Sequence, residues 1–196
     1  MTRIIGGLAG SIQLTAPAKS TRPTSDRVRE SIFNRLEAQD RVMGSHVLDL
    51  FAGTGALGLE AASRQASGVD LVELNRQASQ VCQKNLATVT GSLAKQGLQI
   101  PVALLVQDAV AFASAARDRV ASGLQAPYDL VFIDPPYEFA NTAMTELLTR
   151  LTGSLNDDAL VVVERAARTK PFDVPDGFTT DLVKSYGDTA VYWLSR

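Results

Sequence analysis

The chain has 196 residues, 45% of them apolar and 20% charged, the balance of one folded domain long enough to bury a core without staples. A lone cysteine, Cys82, and a lone histidine, His46, exclude an intramolecular disulfide framework, a Cys-rich zinc or iron–sulfur site and a multi-His metal site. The net charge of −2 conceals an asymmetry, because residues 1–41 carry +3 and the remainder −5. A polyanion needs only such a basic face, although a solvated amphipathic helix would have the same composition.

The opening Met1-Thr2-Arg3-Ile4-Ile5-Gly6-Gly7 lacks the apolar run of a signal peptide, and no apolar stretch approaches about 18 residues. A cytoplasmic protein is expected, with no membrane or metal partner and monomer as the default. The first 20 residues, rich in Gly, Ser, Thr and Ala, suggest a small hairpin or arm. Pro23 prepares a helix start with Thr24 or Ser25 as N-cap and Asp26 in the first turn. Val28, Ile32, Phe33 and Leu36 then form one apolar stripe at helical spacing.

From residue 46 strands and helices alternate. Strands are predicted at 47–51, 69–74, 102–107, 130–134, 159–164 and 190–195, with a weaker one at 179–185. Helices are predicted at 56–64, 76–89, 109–122 and 141–151. Continuous apolar strands such as Val131-Phe132-Ile133 and Leu160-Val161-Val162-Val163 suit a parallel sheet covered on both faces. The pattern predicts a Rossmann-like, doubly wound α/β fold, mostly parallel and seven-stranded, that ends in an antiparallel hairpin around Tyr186-Gly187-Asp188-Thr189. Residues 1–41 are expected to form an extension and residues 42–196 the core.

Off the first core strand runs Asp49-Leu50-Phe51-Ala52-Gly53-Thr54-Gly55-Ala56-Leu57-Gly58. Gly53, Gly55 and Gly58 match the dinucleotide fingerprint, and Glu73 follows at the end of the next strand, where an acid can accept ribose hydroxyls. On those residues alone a nicotinamide enzyme remains open. Asp49 favours a different ligand, because a carboxylate in an apolar strand is costly and would repel a pyrophosphate, whereas a cation such as S-adenosylmethionine would be held by it. Asp49 can also bond the amides of its own turn. Asp108, which closes the third strand, can accept from an adenine amine or cap the following helix.

Leu130-Val131-Phe132-Ile133-Asp134-Pro135-Pro136-Tyr137 ends a buried strand in a carboxylate, two prolines and an aromatic. The motif fits a rigid turn, and it also fits a defined chemistry. A nucleobase amine is a poor nucleophile because its lone pair is delocalised. Asp134 and the Pro135 carbonyl can each accept one amine hydrogen and aim the lone pair at a methyl donor, while Tyr137 offers a stacking face. Such a base must leave its stack to react.

Residues 49–58, Glu73, Asp108 and residues 134–137, in this order, resemble the class I S-adenosylmethionine-dependent methyltransferases that modify amino groups. Arg3-Ile4-Ile5-Gly6-Gly7, the block Arg22-Pro23-Thr24-Ser25-Asp26-Arg27-Val28-Arg29-Glu30-Ser31-Ile32-Phe33-Asn34, and Tyr186-Gly187-Asp188-Thr189 narrow the resemblance to the bacterial ribosomal small-subunit methyltransferase D family. The resemblance implies the class I methyltransferase fold and methylation of a guanine N2 in the 16S rRNA of the small ribosomal subunit. It implies S-adenosylmethionine contacts from Asp49, Phe51, Gly53, Gly55, Glu73, Leu74, Asp108 and Ala109. Asp134, Pro135 and Tyr137 would be catalytic, and Arg22, Arg27, Arg29, Pro136 and Arg165 would meet the RNA. Asn75 and Thr54 depart from the usual acid and serine. The Asp-Pro-Pro-Tyr motif is shared with DNA adenine and protein glutamine methyltransferases, but those need a recognition domain for which this chain has little room. His46 reads as a surface or capping residue and Cys82 as a buried small hydrophobe. Arg168, Lys170 and Lys184 are open between phosphate contacts and ordinary surface charge.

Overall fold

Strand β1 (His46–Leu50) is buried from its second residue onward, and both of its edges are paired. Parallel β2 (Gly68–Val72) lies on one side and parallel β4 (Tyr128–Ile133) on the other. β3 (Val102–Leu105) extends the sheet beyond β2, and β5 (Leu155–Ala166) extends it beyond β4. The last hairpin, β6 (Thr179–Tyr186) and β7 (Thr189–Ser195), inserts β7 antiparallel between β5 and β6. The order is therefore β3-β2-β1-β4-β5-β7-β6. The chain moves outward from β1 to β3 and then returns to β4 on the other side, which opens a crevice at the carboxyl ends of β1 and β4. This computed structural model describes residues 2–16 and 26–196. The expectations placed on Arg22, Pro23, Thr24 and Ser25 lie outside the described residues.

Side chains of period two divide the apolar interior into two layers. Val47, Leu130, Phe132, Val162 and Trp193 face α1 (Asp26–Ala38), α2 (Ala56–Ser63) and α3 (Arg76–Lys95). Leu48, Leu50, Val131, Ile133 and Val163 face α4 (Ala109–Ala121) and α5 (Asn141–Leu151). Both layers need apolar side chains, so the central strands read as unbroken hydrophobic runs.

Several element ends differ from the sequence reading, with consequences for the edge. β2 stops at Val72 and β3 at Leu105, so Glu73, Leu74 and Val106 to Asp108 leave the ladder as loop residues. β3 is only half buried, which explains why its apolar pattern overstated its length. α3 continues to Lys95, beyond the predicted end at 89, and Gly97 at φ +81° turns the chain out of it. That accounts for most of the stretch 91–101.

The N-terminal arm is a small antiparallel loop rather than a pair of full strands. Arg3 bridges Gln13, and Ile4 N–H donates to the Ile12 carbonyl at 2.9 Å. Ile4, Ala9 and Leu14 join α1, α2 and α3 in one apolar layer. Buried Glu60 on α2 anchors the arm by accepting the Ile5 and Gly6 amides at 2.6 and 2.8 Å.

Candidate active site

The turn after β1 is built from backbone conformations that few side chains tolerate. Phe51, Gly53 and Gly55 have φ of +64°, +56° and +80°, the left-handed region that glycine enters without a Cβ penalty. Gly55 has a second constraint, because a Cβ there would stand 2.8 Å from Cys82 Sγ on α3. Ala52 N–H donates to the Val72 carbonyl at 2.9 Å, which ties the turn to β2. Glu73 reaches back from the end of β2, accepting from Gly53 N–H at 2.8 Å with one oxygen and from Asn75 N–H at 2.6 Å with the other.

Asp49 is 1% exposed and accepts from Gly58 N–H at 2.8 Å. It therefore does bond its own turn. Burial pushes its carboxyl up to about 7 against the opposing Gly58 hydrogen bond, and the charges of Asp134 and Glu73 raise it further. Three carboxylates thus converge where β1, β2 and β4 end, and the charges of Asp134 and Glu73 both act against ionisation of Asp49.

On the outer side of this acid cluster, Leu74 is 64% and Val106 53% exposed. Two large apolar side chains left at adjacent strand ends suit a flat ring. Val106 was not foreseen, because Leu105-Val106-Gln107 reads as strand interior. Asp108 caps α4, accepting from Val110 and Ala111 N–H at 2.9 Å. Ala109 is packed into the layer beneath α4, so its side chain offers the edge nothing. Asn75 caps α3 through the Gln77 and Ala78 amides, which gives this departure from the usual acid a structural role.

Beyond β4, Asp134 is half-buried and Pro135 buried, while Pro136 and Tyr137 are exposed. Phe139 N–H closes the turn onto the Pro136 carbonyl at 2.9 Å. Tyr137, at 58% exposure, presents a ring to solvent beside the acid. Asp49 and Glu73 lie at the ends of β1 and β2 and this corner at the end of β4, so they flank the crevice at the sheet's carboxyl edge.

The basic residues separate into distinct groups. Arg27 is exposed on α1. Arg29 requires correction, because it is fully buried, beside Asp26 and Glu60, and its guanidinium donates to the Arg3 carbonyl. It holds the arm and cannot meet RNA. Arg165 is likewise no surface arginine, being 7% exposed with Nη2 donating to the Phe139 carbonyl at 2.7 Å and to Asn141 Oδ1 at 3.1 Å. Arg168, Lys170 and Lys184 are exposed.

A glycine turn at the switch point, a carboxylate at the end of β2, a cluster of acids beside it and an Asp-Pro-Pro-Tyr corner on a seven-stranded sheet with an antiparallel end define a class I methyltransferase fold. A family model described as conserved hypothetical protein 95 matches residues 2–195. The chain is 35% identical over 189 residues to the ribosomal RNA small subunit methyltransferase D of Escherichia coli K12, covering 96% of this chain and 86% of that one. The protein of the same name from Haemophilus influenzae Rd is 33% identical, with 94% and 89% covered. The solved structure of yhhF from Escherichia coli superposes with a TM-score of 0.78 at 33% identity, covering 99% and 97% of the two chains. The chain belongs to the ribosomal small-subunit methyltransferase D family.

Proposed function

We propose that this protein methylates the exocyclic N2 of a guanine in 16S rRNA, with an assembled small subunit or assembly intermediate as substrate. The convergence of Asp49, Glu73 and Asp134 on one crevice carries the reading, and the relatives' names support the rRNA substrate. S-adenosylmethionine, when bound, supplies an electrophilic methyl group on a cationic sulfur. Asp49 and Glu73 face that charge, Glu73 accepts from the ribose hydroxyls, and Leu74, Val106 and Asp108 border the adenine. Asp134 and the Pro135 carbonyl accept the two N2 hydrogens, so the nitrogen lone pair points at the methyl carbon instead of into the ring. With the methyl donor bound, its methyl would pass from sulfur to the amine nitrogen, and the Asp134 carboxylate would take the amine proton that this transfer releases. Tyr137 stacks on the extruded base, a contact worth about 1–3 kcal/mol. Arg27 and the arm meet RNA phosphates. A small basic face favours an assembled particle, whose shape adds to the few base contacts.

The test is transfer of labelled methyl from S-adenosylmethionine into small subunits that lack the modification, with nucleoside analysis of the product. N2-methylguanosine is expected with the wild type, and Asp134→Ala should lose on the order of 10²–10³ in kcat while still binding S-adenosylhomocysteine. Transfer only to DNA or protein, or no transfer by a protein that binds the cofactor, would reject the ribosomal substrate.

A further inference from the structure

Arg165 presents a physical puzzle. Its guanidinium is buried at the end of β5, and among the described residues its Nε has no hydrogen-bond partner and its Nη2 bonds only to a carbonyl and an amide oxygen, not to a carboxylate. Burial lowers its pKa. It also sits at the start of α5, where the helix dipole disfavours a cation and where the N-cap, Ala140, has no side-chain acceptor. A buried cation in that position is costly unless its bonds secure something else.

They secure the residue that closes the target corner. Phe139 is fixed three ways. Its N–H holds the Pro136 carbonyl at 2.9 Å, its own carbonyl accepts from Arg165 Nη2 at 2.7 Å, and its ring packs edge-on against Phe51 at 5.0 Å and 68°. Phe51 is the first residue beyond β1, in the left-handed conformation that starts the cofactor turn. Phe139 therefore connects the turn after β1 to the corner after β4, and Arg165 locks Phe139 from below. We infer that Arg165 is a positioning residue that, through Phe139 and Phe51, sets the distance between the amine-binding corner and the cofactor turn. The inference rests on the methyltransferase reading above, since it concerns the alignment of that reaction's two partners.

The experiment compares Arg165→Met, Arg165→Lys, Phe139→Leu and the Arg165→Met/Phe139→Leu double variant, each first shown to be folded by its thermal transition. Arg165→Met should lower kcat for methyl transfer to small subunits on the order of 10-fold, with KM for the subunit and the salt dependence of RNA binding unchanged. Arg165→Lys, which can still donate to one carbonyl, should recover part of the loss. Phe139→Leu should resemble Arg165→Met, and the double variant should be no worse than the poorer single, as residues acting in series require. Each single variant should also weaken S-adenosylhomocysteine about threefold, again without additivity, a readout that needs no RNA.

An unchanged kcat with a raised KM and a log–log salt slope shallower by about one phosphate contact would overturn the inference and make Arg165 a phosphate ligand. Additive losses would also overturn it. A wild type that fails to methylate subunits rejects the ribosomal reading instead, and the non-additive loss of S-adenosylhomocysteine affinity then still decides the role of Arg165.

Discussion

Asp49 near the end of β1 accepts the amide of Gly58 from the first turn of α2 at 2.8 Å, across the glycine loop that joins the two elements. The bond holds β1 to α2 and fixes a carboxylate where solvent cannot stabilise its charge. Gly58 permits this close approach, because a Cβ there would lie 2.9 Å from Val69 Cγ1 and 3.2 Å from Asp49 Cβ.

The raised Asp49 carboxyl gives a pH signature with a definite sign. Its folded value of about 7 lies above the ordinary 3.8, so the native state holds a proton that the unfolded chain has lost. Asp49's contribution to stability is fully present below about pH 4 and is lost as pH rises towards 7. A bound cation favours the ionised form, so if S-adenosylmethionine binds beside Asp49 as proposed, its binding should release a proton. Affinity should rise about tenfold per pH unit up to about 7 and then level off. Titration calorimetry in buffers of different ionisation enthalpy measures the released proton. Asp49→Asn should flatten the profile, binding more weakly than the wild type near and above pH 7 and converging with it as the pH falls.

Glu60 supports a stability prediction. It accepts the Ile5 and Gly6 amides and Arg64 Nε at 2.9 Å, and it lies 3.9 Å from Arg29 Nε. Glu60→Ala would leave the two arm amides and Arg64 Nε without their acceptor and would take one of two carboxylates from each of the buried guanidiniums, Arg29 keeping Asp26 and Arg64 keeping Glu37. The expected loss is about 3–5 kcal/mol, seen as a lower denaturant midpoint together with early proteolysis of the arm. Glu60→Gln keeps an acceptor and should cost less than the alanine.

Gly53 and Gly55 should respond differently to the same added methyl. At Gly53 a Cβ meets only the Phe51 carbonyl oxygen at 3.9 Å, so alanine costs only the left-handed conformation, about 1–2 kcal/mol. At Gly55 the same conformational cost adds to contacts of 2.8 Å with Cys82 Sγ and 3.1 Å with Leu59 Cδ1. Gly55→Ala should therefore be the more destabilising by about 1–3 kcal/mol and should lose cofactor binding. Adding Cys82→Ala to Gly55→Ala should restore part of the unfolding midpoint.

The sheet was legible because both of its faces are covered, so Val131-Phe132-Ile133 and Leu160-Val161-Val162-Val163 could only be core strands. The turn at Gly53 and the corner at Asp134 were legible because few residue types satisfy such backbones. The arginines were harder to place. Arg29 shares a helical face with Phe33 and Leu36, and Arg165 shares a strand face with Val161 and Val163, yet the family resemblance and their charge placed both against RNA. What decides their burial lies far off in sequence: Glu60 on another helix for Arg29, and the Phe139 carbonyl for Arg165. Val106 was missed because β3 ends one residue before it, and nothing local marks that end.

Asn85 is the remaining link between the arm and the chemistry, and it yields the sharpest pair of substitutions. It is 2% exposed on α3. Its Oδ1 accepts from Thr15 N–H at 2.8 Å, and its Nδ2 donates to the Thr15 carbonyl at 3.0 Å and to the Thr54 carbonyl at 2.9 Å. One amide thus holds the end of the arm as a neighbouring strand would and joins it to the residue between Gly53 and Gly55. Asn85→Ala leaves two carbonyls and one N–H without these partners, a cost of about 1–3 kcal/mol, and should weaken S-adenosylhomocysteine binding by loosening the Gly53-Thr54-Gly55 turn. Asn85→Asp keeps the shape and the bond from Thr15 N–H, but it turns a carboxylate oxygen towards both carbonyls. If the Thr54 bond positions the cofactor turn, Asn85→Asp should bind S-adenosylhomocysteine more weakly than Asn85→Ala at pH 8, and the gap should narrow as the pH falls and the new carboxyl takes up a proton. Equal affinities for the two variants across that range would show that Asn85 serves only to fill the space beneath the arm.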